Sequence, residues 1–268
     1  CRIAKNSGAV CSWFDKRLGR ELVPYGTPKP LQHVQNSRAD MALNVFQVID
    51  EDESRMPAWL MNDILREESL LRGAEVSLLD SGPVCVRFKV AHRFRSSSID
   101  EEIRFYRYLP RADFNIRVDW REKGRPGKGI PHLKLSFAAA MSAARLRSEG
   151  PYTVREAAAD GMENVTQKWA DLTGDEFGFA LLNDSRYGFD ALGGRMRVSL
   201  LRSSYSPDPG SDNGLHEFRV AFVPHGPAIS NAEIWRMGMS FNRPPIIVRS
   251  NKILKEIAVP SLEGASSV

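Results

Sequence analysis

Phe179-Ala-Leu-Leu-Asn-Asp-Ser-Arg-Tyr-Gly-Phe-Asp190 decides how the rest of the chain is read. Its apolar start, Phe179–Leu182, is short and uninterrupted, the pattern of a strand buried on both faces. It runs straight into a turn, Asn183–Tyr187, that carries an amide, a carboxylate, a hydroxyl, a guanidinium and a phenol. A second apolar run, Met196–Leu201, follows, then a loop rich in Asp, Pro and Gly over Ser206–Gly214. His216-Glu-Phe218 then opens a strand that ends at Pro224-His225.

Outward from this block, alternation with period two dominates, as expected of strands with one buried face. Val84, Val86, Phe88 and Val90 alternate with Cys85, Arg87 and Lys89, and Phe114, Ile116, Val118 and Trp120 with Asn115, Arg117 and Asp119. Leu133, Leu135 and Phe137 alternate with His132, Lys134 and Ser136, and Phe218, Val220 and Phe222 form a further set. Turn residues separate the runs at Asn6-Ser-Gly8, Ser81-Gly-Pro83, Gly124–Pro131 and Leu192-Gly-Gly194. The first of these joins Arg2–Lys5 to Val10–Phe14 as a hairpin. Met61–Arg72 has apolar residues at helix-like spacing and reads as a short helix, and Ala138–Arg147 as an extended segment. Strands this frequent imply an all-β fold, a large antiparallel β-sandwich.

At 268 residues the chain can bury a sizeable core, and 42% hydrophobic with 26% charged residues is ordinary for a globular protein. The net charge of +4 comes from interspersed signs, without a basic run carrying interleaved aromatics, so no nucleic-acid partner is expected. No apolar stretch approaches the roughly 20 residues that cross a bilayer, so no membrane partner is expected either. The opening Cys-Arg-Ile-Ala-Lys lacks the pattern of a signal peptide, and its first residue, not Met, suggests an excised domain. Cys1, Cys11 and Cys85 are unpatterned and read as reduced, buried thiols of a cytoplasmic protein. Asn164-Val-Thr166 and Asn183-Asp-Ser185 are sequons that such a protein leaves unmodified.

Asn6-Ser-Gly8 with Asp15-Lys-Arg-Leu-Gly-Arg-Glu-Leu22, Pro57-Ala-Trp59, Gly82-Pro-Val84, Leu109-Pro-Arg-Ala-Asp-Phe114, Val118-Asp-Trp120, Trp169-Ala-Asp-Leu172, Phe177–Asp190, Leu200-Leu-Arg-Ser203, Pro207-Asp-Pro209 and Gly214-Leu-His-Glu-Phe218 occur in that order. Together they make most of the chain resemble the C-terminal β-domain of family 38 glycoside hydrolases, the α-mannosidases, in the form of the bacterial and cytosolic branch. The segment around Ser54–Met56 departs from the family's pattern, and Ser185 stands where the Golgi and lysosomal branch has Arg. The resemblance implies a supersandwich of the galactose-mutarotase-like type spanning 1–268, with 244–268 the start of a further strand pair or a tail. It implies as partners an upstream catalytic barrel and helical domain of the same polypeptide, and a mannose-containing glycan as ligand. The zinc and the nucleophilic carboxylate of that enzyme are expected in the barrel. No catalytic residue and no cofactor is assigned to this chain, which is expected to be inactive alone.

For the turn, two readings stand. Asn183, Asp184, Arg186 and Tyr187 suit a sugar, since carboxylate and guanidinium serve vicinal hydroxyls and a phenol ring covers a pyranose face. They equally suit a self-satisfied turn. His216-Glu217 invites an aldose 1-epimerase reading, but neighbours on a strand face opposite ways. His216 is therefore expected at the core's edge; His225 is expected to cap its strand and bond backbone in the following turn, and His132 to be a solvated strand residue. Trp120 is expected in the core, Trp59 and Trp235 on the surface. A freestanding carbohydrate-binding or structural β module is the remaining alternative.

Overall fold

The computed structural model describes residues 1–24, 41–142, 145–208 and 210–245. The stretch Pro24–Arg38, whose Pro, Gln and Asn with little apolar content read from the sequence as poorly ordered, lies beyond Pro24 outside the described residues, as does the stretch after Pro245 where a strand pair or a tail is expected. In chain order the strands are β1 Arg2–Ile3, β2 Val10–Ser12, β3 Phe14–Asp15, β4 Arg20–Glu21, β5 Leu43–Glu51, β6 Ile64–Ser69, β7 Glu75–Ser81, β8 Cys85–Phe94, β9 Ser97–Tyr106 and β10 Ala112–Trp120. They continue as β11 Ile130–Ala138, β12 Arg145–Gly150, β13 Thr153–Ala157, β14 Asp160–Val165, β15 Trp169–Thr173, β16 Gly178–Asn183, β17 Gly188–Leu192, β18 Arg195–Arg202 and β19 Gly214–His225, before a helix α1, Asn231–Asn242.

Two large antiparallel sheets result. One runs β1-β2-β5-β11-β18-β17-β14, with β6 paired to the far end of β5. The other runs β13-β12-β15-β16-β19-β10-β9-β8-β7. Alternation sets the packing. Leu133, Leu135 and Phe137 of β11 meet Phe114, Ile116 and Val118 of β10 and Phe218, Val220 and Phe222 of β19 in one apolar core. Aromatic rings interlock there, Phe114 edge-on to Phe137 at 5.4 Å and Phe179 stacked on Phe222 at 5.0 Å. Trp120 is fully buried in this core, with its indole N–H donated to Ser203 Oγ at 2.6 Å. The all-β sandwich read from the alternation is the fold observed.

Several features differ from expectation. The Met61–Arg72 helix is instead strand β6, because Gln47 and Arg197 both bond Glu67 at 2.8 Å and tie this edge to the sheet against local propensity. The helix that exists is α1, started by a capping box between Ser230 and Glu233. Its Ile234 and Phe241 close a second core over Trp169, Ala180, Leu182, Ala221 and Val223, which explains why β16 is buried on both faces. Trp235 on the same helix is 47% exposed. Finally, Cys1 is exposed and Cys11 and Cys85 are half-buried; all three are free. Cys11 and Cys85 fall on strands at positions that only half turn from solvent.

The other face of β11 is not the solvated face that its polar residues suggest. His132, Lys134 and Ser136 are all buried. Lys134 Nζ lies 2.5 Å from both Glu163 and Asp190, and Arg197 Nε lies 2.9 Å from Asp190 while its other arm reaches Glu67 at 2.8 Å. Burial alone would raise the Asp190 carboxyl; Lys134 and Arg197 outweigh it and hold it below the ordinary range. His132 is the clearest correction. It is buried because its Nδ1 bonds Glu51 at 2.8 Å, and burial pushes its pKa down, so the neutral ring donates that hydrogen bond. A second buried cluster sits beside α1, where Asp171 takes Arg147 at 2.8 Å, His225 Nε2 at 2.7 Å and Thr173 Oγ1 at 2.8 Å.

Candidate functional site

The turn after β16 is fixed by its own side chains. Asn183 Oδ1 accepts the Arg186 N–H at 2.9 Å, and its Nδ2 donates to the Gln167 carbonyl at 2.9 Å. Asp184 bridges to the neighbouring strand β19, accepting the Arg219 N–H at 2.9 Å and Arg219 Nε at 3.0 Å. The Arg186 guanidinium sits over Phe218, 4.6 Å from the ring centre, and burial lowers its pKa. Tyr187 differs from the others: its carbonyl holds Thr166 N–H at 2.8 Å, while 57% of the residue is exposed. Asn183 and Asp184 thus set the geometry, Arg186 covers the core's edge, and Tyr187 presents an aromatic ring.

That ring borders an open cleft of about 530 Å³, which Asp184, Arg155, Gln167, Lys168 and Glu149 also line. The volume falls in the ordinary range for small-molecule sites. Lys168 is held by Glu149 through both its ammonium and its backbone N–H, each at 2.8 Å. Carboxylate, amide, guanidinium and phenol groups around one cleft supply the donors, acceptors and apolar ring that a sugar needs.

A different surface is built by Glu51, whose role no sequence pattern marks. Glu51 is 1% exposed, yet it accepts His132, both Nε and Nη2 of Arg202 at 2.9 Å, and the Asn62 N–H at 3.0 Å. Burial would raise its pKa; the hydrogen bonds from His132 and Arg202 overcome that and hold it at about 2. Arg202 then reaches on to the carbonyls of Pro57 and Leu60. This buried carboxylate fixes a loop whose side chains face water: Met56 is 60% exposed, Trp59 66% and Leu60 44%. These partners are up to 151 residues apart in the chain, which is why no local pattern shows them.

Replacing Arg202 with Ala is expected to free this loop. Hydrogen exchange at the Trp59 and Leu60 amides, both bonded to the Met56 carbonyl, should accelerate at least tenfold, with about 2 kcal/mol lost from global stability. Unchanged exchange there would show that the loop holds itself.

The histidines do not assemble an acid–base pair. His216 is half-buried with Nε2 on the Asp212 carbonyl at 2.8 Å, while Glu217 faces away toward Arg117 at 3.7 Å. His225 does bond the following turn, through Gly226 at 2.8 Å, in addition to Asp171. Among the described residues no three His, Cys, Asp or Glu side chains converge on one point. Also among the described residues, no helix is long and apolar enough to cross a membrane.

Comparison with known proteins places this architecture. The model of the glycosyl hydrolases family 38 C-terminal domain matches residues 1–210. Alpha-mannosidase G of Dictyostelium discoideum is 30% identical over 247 residues, covering 88% of this chain and 21% of that protein. Alpha-mannosidase 2C1 of Homo sapiens is 29% identical over 185 residues, covering 66% of this chain and 16% of its own length. An alpha-mannosidase of Enterococcus faecalis V583 superposes with a TM-score of 0.69 at 12% identity, over 90% of this chain and 30% of that one. The chain spans between about a sixth and a third of these proteins, and the stretch matched by the family model holds the whole Asn183–Tyr187 turn. With its two-sheet sandwich and its ordered motifs, the chain belongs to the glycosyl hydrolases family 38 C-terminal domain family.

Proposed function

We propose that residues 1–268 act as one β domain of an α-mannosidase-like glycoside hydrolase of the cytoplasm. In this reading the domain carries a zinc-dependent barrel and a helical domain of the same polypeptide, and contributes the Tyr187 cleft to a mannose-containing glycan's site. The observation that carries it is the apolar loop around Trp59. Met56, Trp59 and Leu60 of the loop and Ile64 and Leu65 of the adjoining strand β6 are exposed, and Arg202 anchors the loop's Pro57 and Leu60 carbonyls to a buried carboxylate. A fixed, exposed apolar patch is a surface made to be covered. Tyr187 and Asp184 would bind hydroxyls and a pyranose face; the chemistry of bond cleavage would be the barrel's.

The test compares the isolated chain with a polypeptide that includes the upstream domains, using an aryl α-mannoside and added zinc. Turnover is expected from the longer protein and not from the chain alone. Trp59→Ser is expected to lower the melting temperature of the longer protein by several degrees and leave that of the isolated chain unchanged. Turnover by the isolated chain, or equal shifts in both proteins, would overturn the reading. The cleft itself favours a second reading, a freestanding carbohydrate-binding module, for which mannose oligosaccharides would bind the isolated chain and lose affinity on Tyr187→Ala.

A further inference from the structure

We infer that the basin beside the Lys123–Gly129 loop is a binding site for a small phosphate-type oxyanion, either free or as a monoester. The basin encloses about 410 Å³, and its wall carries Arg66, Arg95, Arg121, Lys123, Arg125 and Lys128 against only Asp50 and Glu122. The two carboxylates are already engaged. Asp50 takes both arms of Arg95 at 2.8 and 2.7 Å, and Glu122 accepts the Ser96 N–H at 3.0 Å and the Ser97 hydroxyl at 2.7 Å. Arg66 pairs outward with Glu68 at 2.8 Å and Arg121 with Asp119 at 2.9 Å. Lys123, Arg125 and Lys128 are exposed and have no ion-pair partner among the described residues.

The loop that bears these three cations is pressed onto the sheet. Gly124 donates to the Ser203 carbonyl at 3.1 Å, and a Cβ there would stand 2.6 Å from that oxygen. At Gly129, φ is +86°, and a Cβ would stand 2.6 Å from the Glu51 carbonyl. Arg125 N–H bonds the Gly129 carbonyl at 3.3 Å, and Glu53 takes the Gly127 N–H. The backbone at both ends of the loop is therefore held where only glycine fits, which keeps the Cα positions of its cations together on one short segment. Like charges held within a Debye length repel one another, and surfaces without a ligand ordinarily intersperse signs. A tetrahedral dianion resolves this arrangement: the Arg125 guanidinium offers a planar fork to two oxygens, and the lysines add charge-assisted bonds. The concavity exceeds what a bare ion needs, so the rest of a small ester fits beside it.

The test titrates the 268-residue chain at constant ionic strength with inorganic phosphate and, separately, with a hexose 6-phosphate, following backbone amide shifts by NMR. Shifts are expected at Gly124, Arg125, Gly127 and Lys128 with millimolar or tighter affinity. Arg125→Ser combined with Lys128→Ser is expected to weaken binding about tenfold or more. Lys16→Ser with Arg236→Ser, which changes net charge equally at exposed positions, is expected to leave it unchanged. Tighter binding of the sugar ester identifies an ester site; equal binding identifies a free-anion site. Absence of shifts with both probes, equal weakening by the two double variants, or binding of a single-stranded oligonucleotide in place of either probe would overturn the proposal.

Discussion

Replacing Glu101 with Gln is expected to stabilise the chain at alkaline pH by up to about 5 kcal/mol and to remove its contribution to pH dependence below that. Glu101 lies on β9 between Ile99 and Ile103, opposite Ile116 and Val90, and faces the core that the two sheets share. It is 2% exposed. A side-chain hydrogen bond crosses between the sheets to it, from Asn44 Nδ2 on β5 to Oε2 at 2.9 Å. Burial lifts its pKa from the ordinary 4.5 to about 8, and the Asn44 bond offsets only part of that. At neutral pH the buried group is an uncharged acid whose hydrogen the carboxylate lacks, and Asn44 Oδ1, also buried, has no partner among the described residues.

The direction follows from which state holds the proton. Between pH 4.5 and about 8 the folded chain binds a proton that the unfolded chain has released, so stability falls as pH rises through that window. At about 1.4 kcal/mol per pH unit, the full span gives the figure of up to about 5 kcal/mol. Gln stays neutral throughout, keeps an acceptor for Asn44 Nδ2 and adds a donor. Urea unfolding of both proteins across pH should give curves that diverge as pH rises; parallel curves would mean that Glu101 does not carry this proton.

Asp190→Ala is expected to cost about 3–5 kcal/mol, because it strands two buried cations. Lys134 and Arg197 are 3% and 5% exposed, and Asp190 bonds both. Removing it leaves Lys134 with Glu163 alone and Arg197 with Glu67. Lys134→Met in the same background is expected to recover a substantial part of the loss, since it removes one stranded charge. A double-mutant cycle by urea unfolding reads the coupling, expected at 1 kcal/mol or more on the scale of about 0.5–3 kcal/mol found for residues in contact. Additive losses would mean that the two side chains do not depend on each other. The wild-type network should also weaken in acid: the Asp190 carboxyl is depressed, so its contribution is present above the ordinary 3.8 and disappears as pH falls below it.

The strands were legible because one rule, alternation of apolar with other residues, governs them directly. Phe114, Ile116, Val118 and Trp120 read as an inward face and are one, and the run Phe179–Leu182 reads as doubly buried and is. That rule fails on β11, where His132 and Lys134 look outward-facing but are buried by partners from β5, β14 and β17. No single-strand pattern distinguishes a polar residue facing water from one facing charges brought by distant strands. The helix α1 was legible and missed: Ser230, Glu233 and apolar residues at Ile234 and Phe241 form a start signal and one buried stripe. Strand β6 is the converse, since a helix-like spacing yielded to the pull of Gln47 and Arg197 on Glu67. The turn residues Asn183, Asp184, Arg186 and Tyr187 do lie together, as adjacency in sequence ensures; their individual tasks depended on Arg219 and Phe218 of β19, which adjacency does not reveal.

Among the described residues both sheets are open, so each has margins where backbone N–H and C=O groups have no described strand beside them. Two of their outermost strands, β7 and β14, are ill suited to recruiting another molecule. On β7 the pairing slips between Leu78 and Asp80, and Glu75 and Asp80 put negative charge along the rim. On β14 the pairing slips between Asp160 and Glu163, with Gly161 at φ +88° breaking the pleat. Irregular, charged margins discourage edge-to-edge growth into fibres. A sandwich with so much strand can in this way remain discrete at high concentration, and meet its neighbours by its faces and loops instead.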